Sequence, residues 1–81
     1  MIRVLLADDD AIVREGLKMI LETQDDMECI GAAKDGQEAV ELAKELKPDV
    51  VLLDIRMPVM DGIKAGKEIM DKGLSNPLLL T

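Results

Sequence analysis

Residues 50–58 read Val-Val-Leu-Leu-Asp-Ile-Arg-Met-Pro, and the fold follows from this stretch. Val50 to Ile55 is β-branched and apolar at both parities, the pattern of a strand covered on both faces of a parallel sheet. Asp54 alone interrupts it, a charge where packing gains nothing. Met57-Pro58 then breaks the strand, fixing φ and turning the chain. Upstream, Asp35 with Glu38 three residues on makes a capping box, and Ala39, Val40, Ala43 and Leu46 give the apolar stripe of a helix that Pro48 stops after Lys47. Before it, Met27 to Ala33 (MECIGAA) is too short for a helix and reads as a strand. Val13, Leu17, Ile20 and Leu21 fall at helical spacing behind an Asp cap. Ile2 to Ala7 (IRVLLA) is an apolar strand ended by Asp8-Asp9-Asp10. Downstream, Asp61-Gly62 starts a helix to about Met70, Gly73 closes it, and Leu78 to Leu80 begins a fourth strand. Strands separated by ten-residue helices make right-handed βαβ units, hence an α/β parallel sheet with helices on both faces.

Eighty-one residues make one domain, 48% apolar and 33% charged, a globular composition. Phe, Tyr and Trp are absent, so no base-stacking platform can be built. A net charge of −7 repels a phosphate backbone, and the chain alone is not expected to bind DNA. Histidine is absent and Cys29 is the single cysteine, which removes zinc sites and histidine-activated nucleophiles. One cysteine, no leader and no long apolar stretch predict a reducing cytoplasm and no membrane span. Any chemistry falls to carboxylates.

In open parallel sheets, ligands bind outside the carboxyl ends of the strands. The turn after the first strand carries three aspartates in place of phosphate-binding glycines, so the crevice should attract a cation. If the first and third strands are neighbours, about 4.8 Å apart, Asp8, Asp9 and Asp54 meet there. Two such charges 4 Å apart cost roughly 4 kcal/mol at an effective dielectric of 20. A proton or a divalent ion must relieve this, and an oxygen-only donor set suits Mg²⁺, with Mn²⁺ also fitting. Such a metal beside Asp54 would permit in-line attack on a phosphoryl group, giving an aspartyl phosphate.

These residues resemble a known family. Asp8-Asp9 after an apolar strand, Asp54 to Pro58 after another, Met60-Asp61-Gly62 opening a helix and Thr81 closing a strand are similar to a response-regulator receiver domain, over the entire chain. Val13 to Leu17 (VREGL) and the stretch from Gly31 to Gly62 resemble the NarL/LuxR subfamily of transcriptional regulators. The resemblance implies a flavodoxin-like sheet of order 2-1-3-4-5 and a phosphoacceptor at Asp54, fed by a sensor histidine kinase or a small acyl phosphate. It implies Mg²⁺ held by Asp9, Asp54 and the backbone carbonyl of Arg56, with Asp8 on a metal-bound water. Thr81 would bond a phosphoryl oxygen and act as the switch, while Met57, Pro58 and Gly62 shape the loop. In the family the first helix contacts the kinase, here the surface around Val13, Arg14 and Leu17.

Family receivers run on through a fourth helix, a fifth strand and a fifth helix, so the chain reads as a C-terminally truncated receiver, residues 1–81. Its transcriptional output domain, and with it any contact to DNA, would lie elsewhere. The fourth strand would then be an exposed edge, which predicts a dimer or a domain swap. A haloacid-dehalogenase-like phosphohydrolase is the enzymatic rival, but its second acid would stand at position 56, where this chain has Arg56. A module that binds kinase or partner without chemistry is the other. Simpler expectations hold elsewhere: Cys29 a small buried residue, the methionines core filler, and Arg14, Lys18 and Lys67 solvated.

Overall fold

The computed structural model describes residues 1–54 and 62–80. Its strands are β1 (Ile2–Ala7), β2 (Met27–Ala33), β3 (Val50–Asp54) and β4 (Asn76–Leu80); its helices are α1 (Ala11–Glu22), α2 (Gly36–Leu46) and α3 (Gly62–Asp71). All pairings are parallel, in the order β2-β1-β3-β4. That order agrees with the flavodoxin-like arrangement, and it makes β1 central. Val4 to Ala7 are all buried, because they have a strand on each side and a helix layer on each face.

Alternation along β1 divides the core. Leu5 and Ala7 pack with Ala33, Val51 and Leu53 under Ala39, Val40 and Ala43 of α2 and Ala65 and Ile69 of α3. Val4 and Leu6 face the other way, against Leu21 and Leu17 of α1, with Met27, Cys29 and Leu52 around them. β1 and β2 slip by one residue between Val4 and Leu5, so that Cys29 opposes Val4 and Gly31 opposes Leu5. A Cβ at Gly31 would lie 3.0 Å from Leu46 Cδ1 and 3.2 Å from Leu5 Cδ1, so any larger residue here would have to push two leucine methyls aside by a few tenths of an ångström.

The helix ends follow local rules. Asp10 caps α1, its Oδ1 accepting from Ile12 N at 2.9 Å. Asp35 caps α2, accepting from Glu38 N at 2.8 Å, and Glu38 Oε1 reaches back to Lys34 N at 3.1 Å, one residue before the usual capping-box partner. At the other end of α2 the guanidinium of Arg3 donates to the Leu46 and Lys47 carbonyls at 2.7 and 2.9 Å, a cation on the negative end of the helix. Gly73 (φ 63) ends α3, with Leu74 N donating to Ile69 O and Gly73 N to Met70 O.

Several expectations need correction. β4 begins at Asn76, ahead of Leu78, because an edge strand tolerates the missing donor of Pro77. In α1 only Leu17 and Leu21 pack inward; Val13 and Ile20 are 41% and 62% exposed, since α1 itself rests on β1 and β2. Met1, Met19 and Met70 are exposed rather than core filler, and Cys29 is only half-buried. Ile55, the expected end of the third strand, lies outside the described residues.

Candidate functional site

The register of β1 against β3 sets Ala7 beside Leu53, so the next residues of each, Asp8 and Asp54, leave the sheet at the same edge. Asp8, Asp9 and Asp54 each offer a carboxylate oxygen, and these oxygens all lie within 4.8 Å of one another. Asp8 is buried, Asp54 half-buried and Asp9 exposed. Asp10 stands apart from the cluster and serves as the α1 cap.

The β1–α1 turn that holds two of these acids is closely tied. Asp8 N donates to the Ala33 carbonyl of β2 at 3.1 Å, and Asp8 Oδ1 accepts from Asp10 N at 2.9 Å. Arg14, one turn into α1, sends Nη1 back to the Asp8 carbonyl at 2.6 Å. Arg14 is therefore half-buried rather than solvated, a correction that composition and periodicity could not anticipate. Lys18 and Lys67 are exposed as expected.

Burial pushes the Asp8 carboxyl above its ordinary value of 3.8, the nearby charges of Asp54, Asp9 and Asp10 push it the same way, and the hydrogen bond from Asp10 N opposes them. A raised carboxyl pKa means the folded state holds the proton more readily than the unfolded chain. The ionised group therefore destabilises the fold above its folded pKa, and this destabilisation fades as pH falls through that pKa toward 3.8. Asp8→Asn is thus expected to melt higher than the parent chain at pH 7 in EDTA, with the gap shrinking as pH approaches 4. Calorimetric melts across that range check it, and a gap that stays constant would refute the assignment.

The donor set fits a hard divalent cation. Opposite ligands of a six-coordinate Mg²⁺ stand about 4.2 Å apart, close to the 4.8 Å that bounds this cluster. All three donors are carboxylate oxygens, and their mutual repulsion is what a cation would relieve. Gly62 is buried at the first position of α3. Arg56, Met57, Pro58 and Thr81, like Met60 and Asp61, lie outside the described residues. Sequence reading missed Arg14 and the Ala33 carbonyl as supports of the turn. No spacing rule marks a guanidinium that bonds a backbone oxygen six residues earlier. No described helix is long and apolar enough to cross a membrane.

Comparison with known proteins agrees with this geometry. The family model for the response regulator receiver domain matches residues 4–81. The transcriptional regulatory protein LiaR of Bacillus subtilis is 55% identical over 80 residues, which are 99% of this chain and 37% of LiaR. Among solved structures, the response regulator domain of Thermotoga maritima CheB superposes with a TM-score of 0.93 at 52% identity, covering 98% of this chain and 59% of that one. The signal receiver domain of NarL from Mycobacterium tuberculosis gives a TM-score of 0.92 at 38% identity, covering 96% of this chain and 64% of that one. The chain thus spans less than two fifths of the length of the curated relatives it matches. With the match over residues 4–81, the parallel sheet and the aspartates gathered at its carboxyl edge, this chain belongs to the response regulator receiver domain family.

Proposed function

We propose that Asp54 is the phosphoacceptor of a two-component signalling protein, with Asp8, Asp9 and Asp54 holding Mg²⁺, or Mn²⁺ in its place, beside it. The observation that carries this reading is the meeting of three carboxylates from two strand ends within 4.8 Å, in a chain of the receiver family. Receiver domains bind Mg²⁺ at such an acidic pocket; bound here, the ion would offset the charge of an incoming phosphoryl group. An Asp54 carboxylate oxygen attacks phosphorus as the bond to the leaving group breaks, releasing the kinase histidine or, from acetyl phosphate, acetate. Asp8 and Asp9 would hold the ion beside that oxygen. By the family resemblance the Arg56 carbonyl would join the metal's ligands, Thr81 would bond a phosphoryl oxygen as the switch, and Met57, Pro58 and Gly62 would shape the loop after Asp54. These roles extend the family resemblance.

The donor in this reading is a sensor histidine kinase in the cytoplasm, meeting the surface of α1 around Val13, Arg14 and Leu17, of which Val13 is exposed and the other two half-buried. Output passes to a transcriptional domain as in relatives named regulatory proteins, and the domain itself, a receiver over residues 1–81, accepts phosphate without turning over substrate. Intact mass after incubation with acetyl phosphate and Mg²⁺ tests it: one phosphoryl unit is expected on the parent chain and none on Asp54→Asn. Mass gain on both would move the acceptor elsewhere, and gain on neither would leave a module that binds without chemistry.

Strand β4 lies at the edge of the sheet, with Leu78 exposed on it. Among the described residues β4 pairs on one side only, so a dimer or a swapped pair through its other side belongs to this reading. Light scattering across concentrations is expected to show mass rising toward two chains, and a monomer throughout would refute the pairing.

A further inference from the structure

Asp9 is the exposed member of the carboxylate cluster, and no hydrogen bond among the described residues holds its side chain. Its direction is therefore set by its backbone, one half of which is the peptide unit shared with Asp8. The carbonyl of that unit accepts the 2.6 Å hydrogen bond from Arg14 Nη1. Arg14 is itself fixed, because its backbone N–H donates to Asp10 O at 3.0 Å inside the first turn of a capped helix. The preceding peptide is pinned to β2 by Asp8 N on Ala33. Two elements thus grip the turn, one on each side of Asp8.

We infer that Arg14 is a positioning residue for the metal centre, clamping the Asp8–Asp9 peptide so that the Asp9 carboxylate stays with Asp8 and Asp54. The inference rests on the metal reading given above. Charge and clamp predict opposite signs. A guanidinium near the site repels a divalent cation, so if charge alone mattered, neutralising Arg14 would tighten Mg²⁺ binding. If the clamp matters, the same change weakens it.

The experiment is a calorimetric titration with MgCl₂ of the parent chain, Arg14→Met and Arg14→Lys, paired with ¹⁵N relaxation of the Asp9 amide in EDTA. Arg14→Met is expected to bind Mg²⁺ roughly tenfold more weakly, as loss of an outer partner of a metal ligand typically does, while Arg14→Lys, which keeps a donor, should stay within about threefold of the parent. The Asp9 amide order parameter should fall in Arg14→Met alone. Equal or tighter binding by Arg14→Met overturns the inference, and so does a lysine variant as weak as the methionine one. Should Arg14→Met lose its helical circular dichroism, Arg14→Leu, which likewise has no donor, carries the comparison with the same weakening expected. No Mg²⁺ binding by the parent chain would instead overturn the metal reading itself, and the relaxation data would still report whether Arg14 holds the turn.

Discussion

Leu53→Ala is expected to remove a large share of the fold's stability. Leu53 is fully buried, on the strand that ends in Asp54, packed with Leu5, Val51 and Ile69. Truncating a core leucine costs about 2–5 kcal/mol, through lost transfer energy and the cavity left behind. A chain of 81 residues has a total stability of roughly 4–12 kcal/mol at the usual 0.05–0.15 per residue. The loss is therefore from a fraction to all of it. No aromatic side chain is present to swing into the space. Urea titration checks this: the midpoint should drop steeply with the slope unchanged, while Leu53→Met, which conserves volume, should cost less than about 1.5 kcal/mol. A drop for Leu53→Ala of under about 1 kcal/mol would show that this part of the core is not close-packed.

The second large effect changes sign with the solution. Asp54 shares a 4.8 Å neighbourhood with two other carboxylates. Like charges at that separation cost about 1 kcal/mol in water and about 3.5 kcal/mol at an effective dielectric of 20. Asp54→Asn keeps the shape and removes one of the three charges, so in EDTA it relieves part of that repulsion, with about 4–8 °C in Tm for each kcal/mol. In Mg²⁺ at a hundred times the dissociation constant, the parent chain should gain about 2.7 kcal/mol from binding. The variant, short of a ligand, should gain much less, and the gap should close or reverse. Melts of both chains in EDTA and in MgCl₂ decide it. An Asp54→Asn chain that is less stable than the parent in EDTA would mean that Asp54 is held by favourable contacts that outweigh the repulsion.

The sequence made the strands legible where an apolar run met a hard stop. Ile2 to Ala7 runs into three aspartates, and Met27 to Ala33 is bracketed by Asp26 and by the capped start of α2. The candidate site was legible in part, since acids that end two strands can meet only if those strands are neighbours; the parallel βαβ rule leaves that order open, the family resemblance implied it, and the sheet order β2-β1-β3-β4 bears it out. Helix orientation was less legible. Ile12, Val13, Met19 and Ile20 are as apolar as Leu17 and Leu21, and the stripe is too wide to say which edge turns inward; only packing on β1 and β2 decides. The start of β4 was placed two residues late, at Leu78, because neither Asn76 nor Pro77 favours a strand, whereas pairing with β3 begins at Asn76. The hydrogen bond from Arg14 to Asp8 depends on the angle at which α1 leaves the sheet, and no sequence pattern encodes that angle.

The slip between β1 and β2 leaves Ile30 without a partner on β1, one residue of slack in an otherwise paired strand. Inside and outside alternate correctly from Cys29 to Val4 on one flank and from Gly31 to Leu5 on the other, so the ladder would close without Ile30. β2 can therefore absorb a one-residue deletion at this point, while a deletion in β1, which has no spare residue and is gripped from both sides, would exchange its two faces.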